Sequence, residues 1–257
     1  MMQDRNFDDL AERFVKNIYG SDKGEIRLHV LWHDLQEKLI NHLPAPANIL
    51  DAGGGIGQLS QRLGKLGHSI TLCEISGDML QLARDSFAAE CPDVSVQFVH
   101  CPVQQLSDHV TGQFDVVLCH AVLEWLAEPR ETLAGLLTHL KPGGYLSLAF
   151  YNKHSLVYRN LLRGNLRKIA NDDYQGDPGS LTPMHALLPD DVMGWLHAWG
   201  YDISLHSGIR VFSDYIEKNY RAPLQLNEII DMELRFSRME PYRSLGRYIH
   251  LLARKPL

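Results

Sequence analysis

Residues 49–60 read ILDAGGGIGQLS, and this stretch decides the fold. An apolar run ends at Asp51, three consecutive glycines begin at Gly53, and helix-like spacing starts near Gly57. Glycine adopts positive φ and lets the backbone approach a ligand closely, while a helix start offers unpaired N–H groups. The dinucleotide fingerprint G-x-G-x-x-G, counted from Gly53, requires a glycine at the position that Gln58 occupies. The stretch therefore predicts a strand, a ligand-binding turn and a helix, but disfavours a dinucleotide pyrophosphate.

An acidic residue strengthens the ligand interpretation of the turn. Glu74 comes at the end of the next predicted strand, HSITLCEI at 68–75. A carboxylate in that place accepts hydrogen bonds from both hydroxyls of a ribose without a 2′-phosphate. A glycine turn by itself also occurs where nothing binds. The combination of turn and strand-end carboxylate favours an adenosine-type ligand.

Strands and helices alternate along the first part of the chain. Strands are predicted at 48–50, 68–75, 94–100, 114–120 and 145–151, with helices at 57–66, 76–90 and 131–140 and a turn at 141–144. Ser76 is the expected N-cap of the second of these helices. Such alternation is typical of βαβ units, so we expect an α/β fold with a mostly parallel sheet and helices on both faces.

The second part of the chain departs from this alternation. A helix is predicted at 155–171, another at 188–200, a strand at 201–212, mostly helix at 214–234 and a final strand at 246–254. We therefore interpret 1–257 as a single domain with four parts. These are an N-terminal helical cap at 1–44, a ligand-binding core at 45–151, a basic helical insert at 152–187 and a C-terminal part of the sheet at 188–257.

Composition limits the class of protein. The chain has 257 residues and a formal net charge of −6, so any nucleic-acid site must be a local basic patch. No apolar run reaches the roughly 18 residues of a membrane span, and the polar N-terminus does not resemble a signal peptide. The four cysteines form no C-x-x-C pair. We expect a cytoplasmic protein with no metal site and no membrane segment.

The glycine turn, Glu74 and the segment HAVLEWLAEPRETLAGLLTHLKPGGYLSL at 120–148 together resemble the class I S-adenosylmethionine-dependent methyltransferases. The segments at 4–27, 149–160, 208–215 and 240–256 are similar to the bacterial tRNA 5-carboxymethoxyuridine methyltransferase family. The resemblance implies a Rossmann-like fold, S-adenosylmethionine as cofactor and tRNA as partner. It implies methyl transfer to the carboxylate of wobble 5-carboxymethoxyuridine, which gives the methyl ester 5-methoxycarbonylmethoxyuridine.

The resemblance also implies a cofactor site. Its expected members are Arg27 at the methionine carboxylate, Gly53 and Gly54 at the methionine part, Glu74 at the ribose, Val103 and Gln104 at the adenine, His120 near the sulfonium, and Asp51 before the turn. The family more often has aspartate at the position of Glu74. Many class I enzymes place an acidic residue after the third strand, whereas this chain has Cys101-Pro102-Val103-Gln104. The adenine amino group then depends on the Gln104 amide or on a backbone group.

The implied chemistry needs no general base. A carboxylate has a reference pKa of about 4 and is ionised at neutral pH, so the protein has only to position it. His120 is the candidate if a base were required, and the alternative is a histidine that packs beside the cofactor. Arginine and tyrosine suit an anionic substrate. The candidates are Tyr19, Tyr151, Arg210 and Arg247, with Lys23 and Tyr242 as further possibilities.

The insert carries positive charge without acidic residues between Tyr151 and Asn171. Arg159, Arg163 and Arg167 recur every four residues, which predicts one helical face. Like charges at this spacing repel, so a tRNA backbone is the expected partner, and a merely solvated face is the alternative. The candidate RNA-binding residues are Lys153, Arg159, Arg163, Arg167 and Lys168.

Other functions remain open from the sequence. A small-molecule methyltransferase of the quinone-biosynthesis type has a similar core, but the basic insert favours RNA. A base N-methyltransferase would carry a D/N-P-P-Y/F motif where this chain has His120-Ala-Val-Leu. A protein that binds an adenosyl ligand without methyl transfer, or that modifies the cofactor itself, would keep the same glycine turn.

Overall fold

The computed structural model describes residues 20–173, 183 and 185–257, and these form a sheet covered by helices. The seven strands in the described part are β1 Asn48–Ala52, β2 Ser69–Glu74, β3 Val96–His100, β4 Phe114–His120, β5 Leu140–Tyr151, β6 Asp202–Ile209 and β7 Tyr248–Arg254. Their order in the sheet is β3-β2-β1-β4-β5-β7-β6. β7 runs antiparallel to both neighbours, and β1 to β5 are parallel. The predicted α/β class with a mostly parallel sheet is confirmed.

The helices follow the polar and apolar pattern of their segments. They are α1 Asp22–Lys38, α2 Gln58–Lys65, α3 Gly77–Glu90, α4 Pro129–Leu136, α5 Lys153–Leu162, α6 Leu166–Ala170, α7 Pro189–Ala198, α8 Lys218–Arg221 and α9 Leu226–Phe236. Ser76 accepts a hydrogen bond from the Met79 N–H and so caps α3 as predicted. No described helix has the length and the apolar character that a membrane span requires.

Both faces of the sheet are buried, because successive residues of a strand point to opposite sides. Leu50 packs in a cluster with Leu133 of α4 and Val192 of α7. Ile49 points the other way and packs with α1, α2 and α3 through residues such as Leu35. Both strand residues are fully buried. The sheet thus lies between two layers of helices. Because β1 to β5 are parallel, their carboxyl ends meet at one edge of the sheet, where ligands bind in folds of this type.

Two predicted elements differ in the structure. The expected turn at 141–144 lies within β5, which already begins at Leu140 and whose pairing with β4 shifts register between Phe114 and Val116. The helix predicted at 131–140 ends at Leu136 and is followed by a 3-10 turn. The lysine–proline–glycine–glycine composition indicated a chain reversal. In the structure these residues belong to β5, and the irregular pairing of β4 with β5 accommodates them at the start of the strand.

The predicted continuous helix at 155–171 is wrong. α5 ends at Leu162, Gly164 has a φ of +70°, and the short α6 begins at Leu166. Positive φ interrupts a right-handed helix, because L-residues in a helix require negative φ. Arg159 therefore lies on α5, Arg163 just after it and Arg167 on α6. The three arginines do not share one helical face.

Candidate active site

A cleft opens at the carboxyl edge of the parallel strands. It encloses about 1100 Å³ with its open mouth included. All eight residues that the sequence predicted for the cofactor line it: Arg27, Asp51, Gly53, Gly54, Glu74, Val103, Gln104 and His120. They come from α1, from the ends of β1, β2 and β4, and from the turn after β3. We call this space the cofactor cleft.

The glycine turn has no room for side chains. A Cβ on Gly53, whose φ is +72°, would lie 2.5 Å from Val122 Cγ2. A Cβ on Gly54 would lie 2.8 Å from Asp51 Cγ. Any other residue at these positions would displace the walls of the cleft, so glycine keeps the backbone close to a ligand.

Two buried carboxylates flank this turn. Glu74 accepts hydrogen bonds from the N–H groups of Gly55 and Ser76, each at 3.0 Å. Asp51 accepts one from Ser60 Oγ at 2.6 Å. Burial raises the pKa of Asp51 to about 6, the Ser60 hydrogen bond opposes the shift, and the Glu74 charge adds to it. Glu74 is thus fixed against the turn, with its carboxylate at the wall of the cleft.

His120 ends β4 at the floor of the cofactor cleft. Its Nε2 lies 2.8 Å from Ser147 Oγ. Burial lowers the pKa of His120 well below its usual value, and the neighbouring His250 and Arg27 lower it further. The ring is therefore neutral at physiological pH, which suits a wall that faces a cationic ligand.

Beside the cofactor cleft lies a group of charged side chains that we call the cationic cluster: Lys23, Arg159, Arg210, Arg247 and Asp214. Arg210 Nη2 lies 3.3 Å and Arg247 Nε 3.6 Å from Asp214 Oδ2. All four cations lower the pKa of Asp214, which burial alone would raise. Four positive charges surround one negative charge, so the cluster has an excess of positive charge, and its inner members Arg210, Arg247 and Asp214 are largely buried.

The cluster leaves several hydrogen-bond donors without partners. The buried Tyr151 hydroxyl, Arg210 Nε and two nitrogens of Arg247, Nε and Nη1, make no hydrogen bond to the residues that the structure describes. The Arg247 guanidinium lies 4.8 Å above the Tyr151 ring. Buried polar groups are normally paired, so convergent unpaired donors mark a place for an acceptor-rich ligand. A carboxylate, with two oxygens that accept only, meets this requirement.

Tyr248 lies between the two regions. Its ring packs edge-on against Tyr151 at 5.5 Å, and the Arg210 guanidinium lies 5.6 Å from it. Burial raises the pKa of Tyr248 to about 12, while Arg210 of the cluster and Arg27 of the cleft both act to lower it. Charges of both the cofactor cleft and the cationic cluster thus act on the Tyr248 hydroxyl, so the cleft and the cluster are neighbours.

Comparison with known proteins agrees with this geometry. Residues 50–146 match the family model described as a methyltransferase domain. The curated tRNA 5-carboxymethoxyuridine methyltransferase of Escherichia coli strain K12 is 41% identical over 255 residues, which are 99% of this chain and 98% of that protein. The chain belongs to the tRNA 5-carboxymethoxyuridine methyltransferase family. The family predicted from the sequence is confirmed.

More distant relatives of this methyltransferase match less of the chain or only its fold. The ubiquinone biosynthesis O-methyltransferase of Albidiferax ferrireducens is 31% identical over 150 residues, 57% of each chain. The magnesium protoporphyrin IX methyltransferase of Synechocystis PCC 6803, solved with bound SAH, superposes with a TM-score of 0.64 at 18% identity, covering 97% of this chain and 96% of that one. The structural match confirms the Rossmann-like class I fold.

The structure brings together most of the predicted substrate residues of the methyltransferase. Tyr151, Arg210 and Arg247 meet in the cationic cluster, and Lys23 joins them. Tyr242 instead lies exposed against Phe236. Tyr19 lies outside the described residues. The placement of the first three agrees with the predicted substrate-positioning role, which stays a prediction.

Sequence reasoning missed two members of the site. Arg159 was predicted to contact RNA, but it is half-buried and interacts with Arg247 and Asp214. Asp214 was not singled out, although its position four residues after Arg210 was a readable signal for an ion pair. Arg210 has a φ of +57°, a strained conformation for a residue with a side chain. Arg210 forms its ion pair with Asp214 in this conformation, and such strain is frequent at functional sites.

Glu124 was also missed. It lies in the 3-10 turn Leu123–Trp125 after β4, is fully buried, and its carboxylate lies near the backbone N–H groups of Glu124 and Tyr151. Burial raises its pKa to about 8, while Arg27 acts to lower it. The carboxyl group is therefore protonated near neutral pH in the absence of ligands.

Replacement of Glu124 by glutamine should stabilise the ligand-free protein increasingly as the pH rises from 5 to 8. In this interval the unfolded chain has released the Glu124 proton, whose reference pKa is about 4.3, while the folded chain keeps it. Wild-type stability then falls by up to about 1.4 kcal/mol per pH unit through this group, and glutamine removes that loss. Urea denaturation of both proteins across the pH series measures the difference. Exposed Glu128→Gln is the control, and a pH-independent difference for Glu124→Gln would contradict the prediction.

Proposed function

We propose that this enzyme transfers the methyl group of S-adenosylmethionine to the carboxylate of 5-carboxymethoxyuridine at the wobble position of tRNA, forming 5-methoxycarbonylmethoxyuridine. The observation that carries the proposal is the cationic cluster, with its unpaired donors, next to the cofactor cleft. The family of the chain supports the same substrate. The substrate places the reaction in the cytoplasm, where tRNA is found.

The lining of the cleft supports S-adenosylmethionine as its ligand, because it includes every residue that the resemblance implies for this cofactor. We place the ribose at the Glu74 carboxylate and the adenine at Val103 and Gln104, all of which line the cleft. The bare backbone of Gly53 and Gly54 borders the methionine part, with Arg27 for its carboxylate. When bound, the cofactor supplies an electrophilic methyl group on a sulfonium. The chain's contribution is to hold that methyl group in line with the nucleophile.

The substrate carboxylate arrives already charged. We place its two oxygens against Arg247 and the Tyr151 hydroxyl, with Arg210, Lys23 and Arg159 adding positive potential. Asp214 holds the two inner arginines through ion pairs of 3.3 and 3.6 Å and limits the excess charge, so the anion is positioned without being trapped as tightly as four free cations would trap it.

The reaction itself balances without a proton transfer. One carboxylate oxygen forms a bond to the methyl carbon, the bond from that carbon to sulfur breaks, and its electrons stay on the sulfur. The products are a neutral ester and a neutral thioether. The lowered pKa of His120 makes it a weak base, which agrees with this scheme because no residue needs to accept a proton. The protein supplies orientation and partial removal of water from the carboxylate.

Incubation with labelled S-adenosylmethionine and bulk bacterial tRNA, followed by nucleoside analysis, tests the proposal. Label is expected in 5-methoxycarbonylmethoxyuridine and should be released by mild alkali, which cleaves esters. Transcribed tRNA without 5-carboxymethoxyuridine is the control and should remain unlabelled. Label in a phenolic quinone precursor, with none in tRNA, would favour the small-molecule alternative.

We also infer that α5 and α6 contact the tRNA backbone. Arg163 and Arg167 are exposed on this pair of short helices, and the exposed Leu162 and Leu166 lie beside them. Lys153 and Lys168 belong to the same surface. Arg159 does not, because its half-buried side chain belongs to the cationic cluster. The three arginines do not share one helical face, so their spacing no longer supports an RNA-binding site. The exposed charges still lie next to the segment that carries Tyr151.

The double change Arg163→Gln/Arg167→Gln should weaken tRNA binding and flatten its salt dependence. Each lost phosphate contact reduces the slope of log K against log salt by ~0.7–0.9, so two contacts reduce it by about 1.5. The melting temperature should not change, because both side chains are exposed. Binding measured across a salt series gives the slope. Lys38→Gln/Lys65→Gln is the matched control, since these residues end α1 and α2 at the edge remote from the cleft, and equal slopes in both double variants would remove α5 and α6 from the RNA surface.

A further inference from the structure

A chain of buried hydrogen bonds leaves the cofactor cleft through the sheet. His120 Nε2 lies 2.8 Å from Ser147 Oγ on β5, and Ser147 Oγ lies 2.9 Å from His250 Nε2 on β7. His250 Nδ1 lies 2.8 Å from Asp34 Oδ2 on α1. Ser147, His250 and Asp34 are at most 1% exposed, so water does not complete or replace these bonds. The reaction described above uses none of these three residues.

The hydrogen-bonded chain ends at the Asp34 carboxylate, whose orientation is fixed by its other partners. Asp34 Oδ1 accepts hydrogen bonds from Arg238 Nη2 at 2.6 Å, Arg238 Nε at 3.2 Å and Ser207 Oγ at 3.1 Å. Burial raises the pKa of Asp34, but the bonds from His250 and Arg238 outweigh it and hold the pKa below its usual range. The ionised carboxylate therefore only accepts, and its Oδ2 is the atom that faces His250.

This acceptor dictates where every hydrogen in the chain sits. His250 must carry a hydrogen on Nδ1 to donate to Asp34. With its hydrogen on Nδ1, the neutral form of His250 accepts from the Ser147 hydroxyl through Nε2. Ser147 Oγ then accepts from His120 Nε2–H. His120 is left with a lone pair on Nδ1, and the structure shows no protein hydrogen bond to that atom.

We propose that Asp34, His250 and Ser147 are positioning residues that fix His120 in the Nε2–H tautomer, so that its Nδ1 lone pair accepts a hydrogen bond from the ammonium group of the cofactor's methionine part. His120 lines the cleft together with Arg27, the residue placed at the methionine carboxylate, and the ammonium is attached to the same carbon as that carboxylate. The opposite tautomer would point an N–H at this cation. Asp34, which lies three hydrogen bonds away from His120, thus sets the tautomer in which His120 presents a lone pair to a positively charged ligand.

Asp34→Asn tests the proposal most sharply. The asparagine oxygen is required by Arg238 and Ser207, so its NH₂ group replaces the oxygen that faces His250. His250 Nδ1 must then accept, its hydrogen moves to Nε2, Ser147 donates to His120 Nε2, and the hydrogen of His120 moves to Nδ1. We expect a reversed His120 tautomer in long-range ¹H–¹⁵N spectra of histidine-labelled protein, assigned with His120→Gln. The Kd for S-adenosylmethionine in calorimetry should rise about tenfold or more, and that for S-adenosylhomocysteine, which has the same ammonium, should rise equally.

Two serine variants separate positioning from a structural effect. Ser147→Ala breaks the chain and should give mixed His120 tautomers with a Kd for S-adenosylmethionine roughly three- to tenfold higher. Ser207→Ala is the matched control, because Ser207 is equally buried and bonds the same Asp34 outside the path to His120. It should leave the His120 spectrum and the Kd unchanged. An unchanged His120 tautomer in Asp34→Asn, or equal effects of the two serine variants, would overturn the proposal. These measurements use no tRNA, so they are independent of the proposed substrate.

Discussion

Replacement of Arg247 by methionine should lower kcat/KM for tRNA at least 100-fold while the Kd for S-adenosylmethionine stays within about twofold. Arg247 Nη1 is buried and makes no hydrogen bond to the described residues, and Nε has only the 3.6 Å ion pair with Asp214, so we assign Nη1 and the guanidinium charge to the substrate carboxylate. A hydrogen bond to a charged group contributes about 1.5–3 kcal/mol, and its loss together with the loss of the positive charge beside the substrate anion corresponds to roughly 100-fold or more. Steady-state kinetics with purified substrate tRNA and calorimetry with the cofactor give the two quantities.

Methionine is the informative substitution at Arg247. It keeps an unbranched apolar stem to pack against the Tyr151 ring, which the guanidinium now covers at 4.8 Å, so the effect reports the lost donors. Arg247→Lys keeps the charge without the planar fork and should lie between wild type and methionine. Arg243→Met is the control from the same segment, since Arg243 pairs with Glu240 outside the cluster. Equal losses in Arg247→Met and Arg243→Met would show that Arg247 does not hold the substrate.

The cofactor half of the site could be predicted from the sequence because its determinants are local. Asp51, the glycines and Glu74 each follow a strand, and the carboxyl ends of parallel strands must meet at one edge of the sheet. Local signals therefore imply a three-dimensional neighbourhood. The place of His120 near the sulfonium was implied by the family resemblance, and His120 lines the same cleft as Glu74 although 46 residues separate them in the chain.

The substrate half could be predicted only in part, because its members come from segments with no regular spacing. Arg159 was assigned to an RNA stripe since a four-residue period was taken for an unbroken helix, and Gly164 breaks that helix. The role of Glu124 depends on its complete burial in a 3-10 turn, which composition does not reveal. The pairing of Asp34 with His250 joins residues 216 positions apart and carries no local signal at all.

The second large effect is expected from substitution of Glu74 and concerns cofactor binding. Glu74→Ala should raise the Kd for S-adenosylmethionine at least 100-fold. Two ribose hydroxyls lose a charged acceptor, and each such bond contributes about 1.5–3 kcal/mol. The structure adds a further loss, because the carboxylate also accepts from the Gly55 and Ser76 N–H groups and so holds the glycine turn in place.

Glutamine should not rescue this position, and that outcome separates the two roles of Glu74. Each carboxylate oxygen already faces a backbone N–H, so an amide in either orientation sets its NH₂ group against a donor. Glu74→Gln should therefore bind the cofactor almost as weakly as Glu74→Ala. Glu74→Asp keeps the charge one methylene shorter and should fall between them and wild type. Calorimetric titration gives the three Kd values, and melting of the ligand-free variants shows how far the turn itself is loosened. Wild-type affinity in Glu74→Gln would mean that the carboxylate charge serves neither the ribose nor the turn, and the ribose would then have to be held from another wall of the cleft.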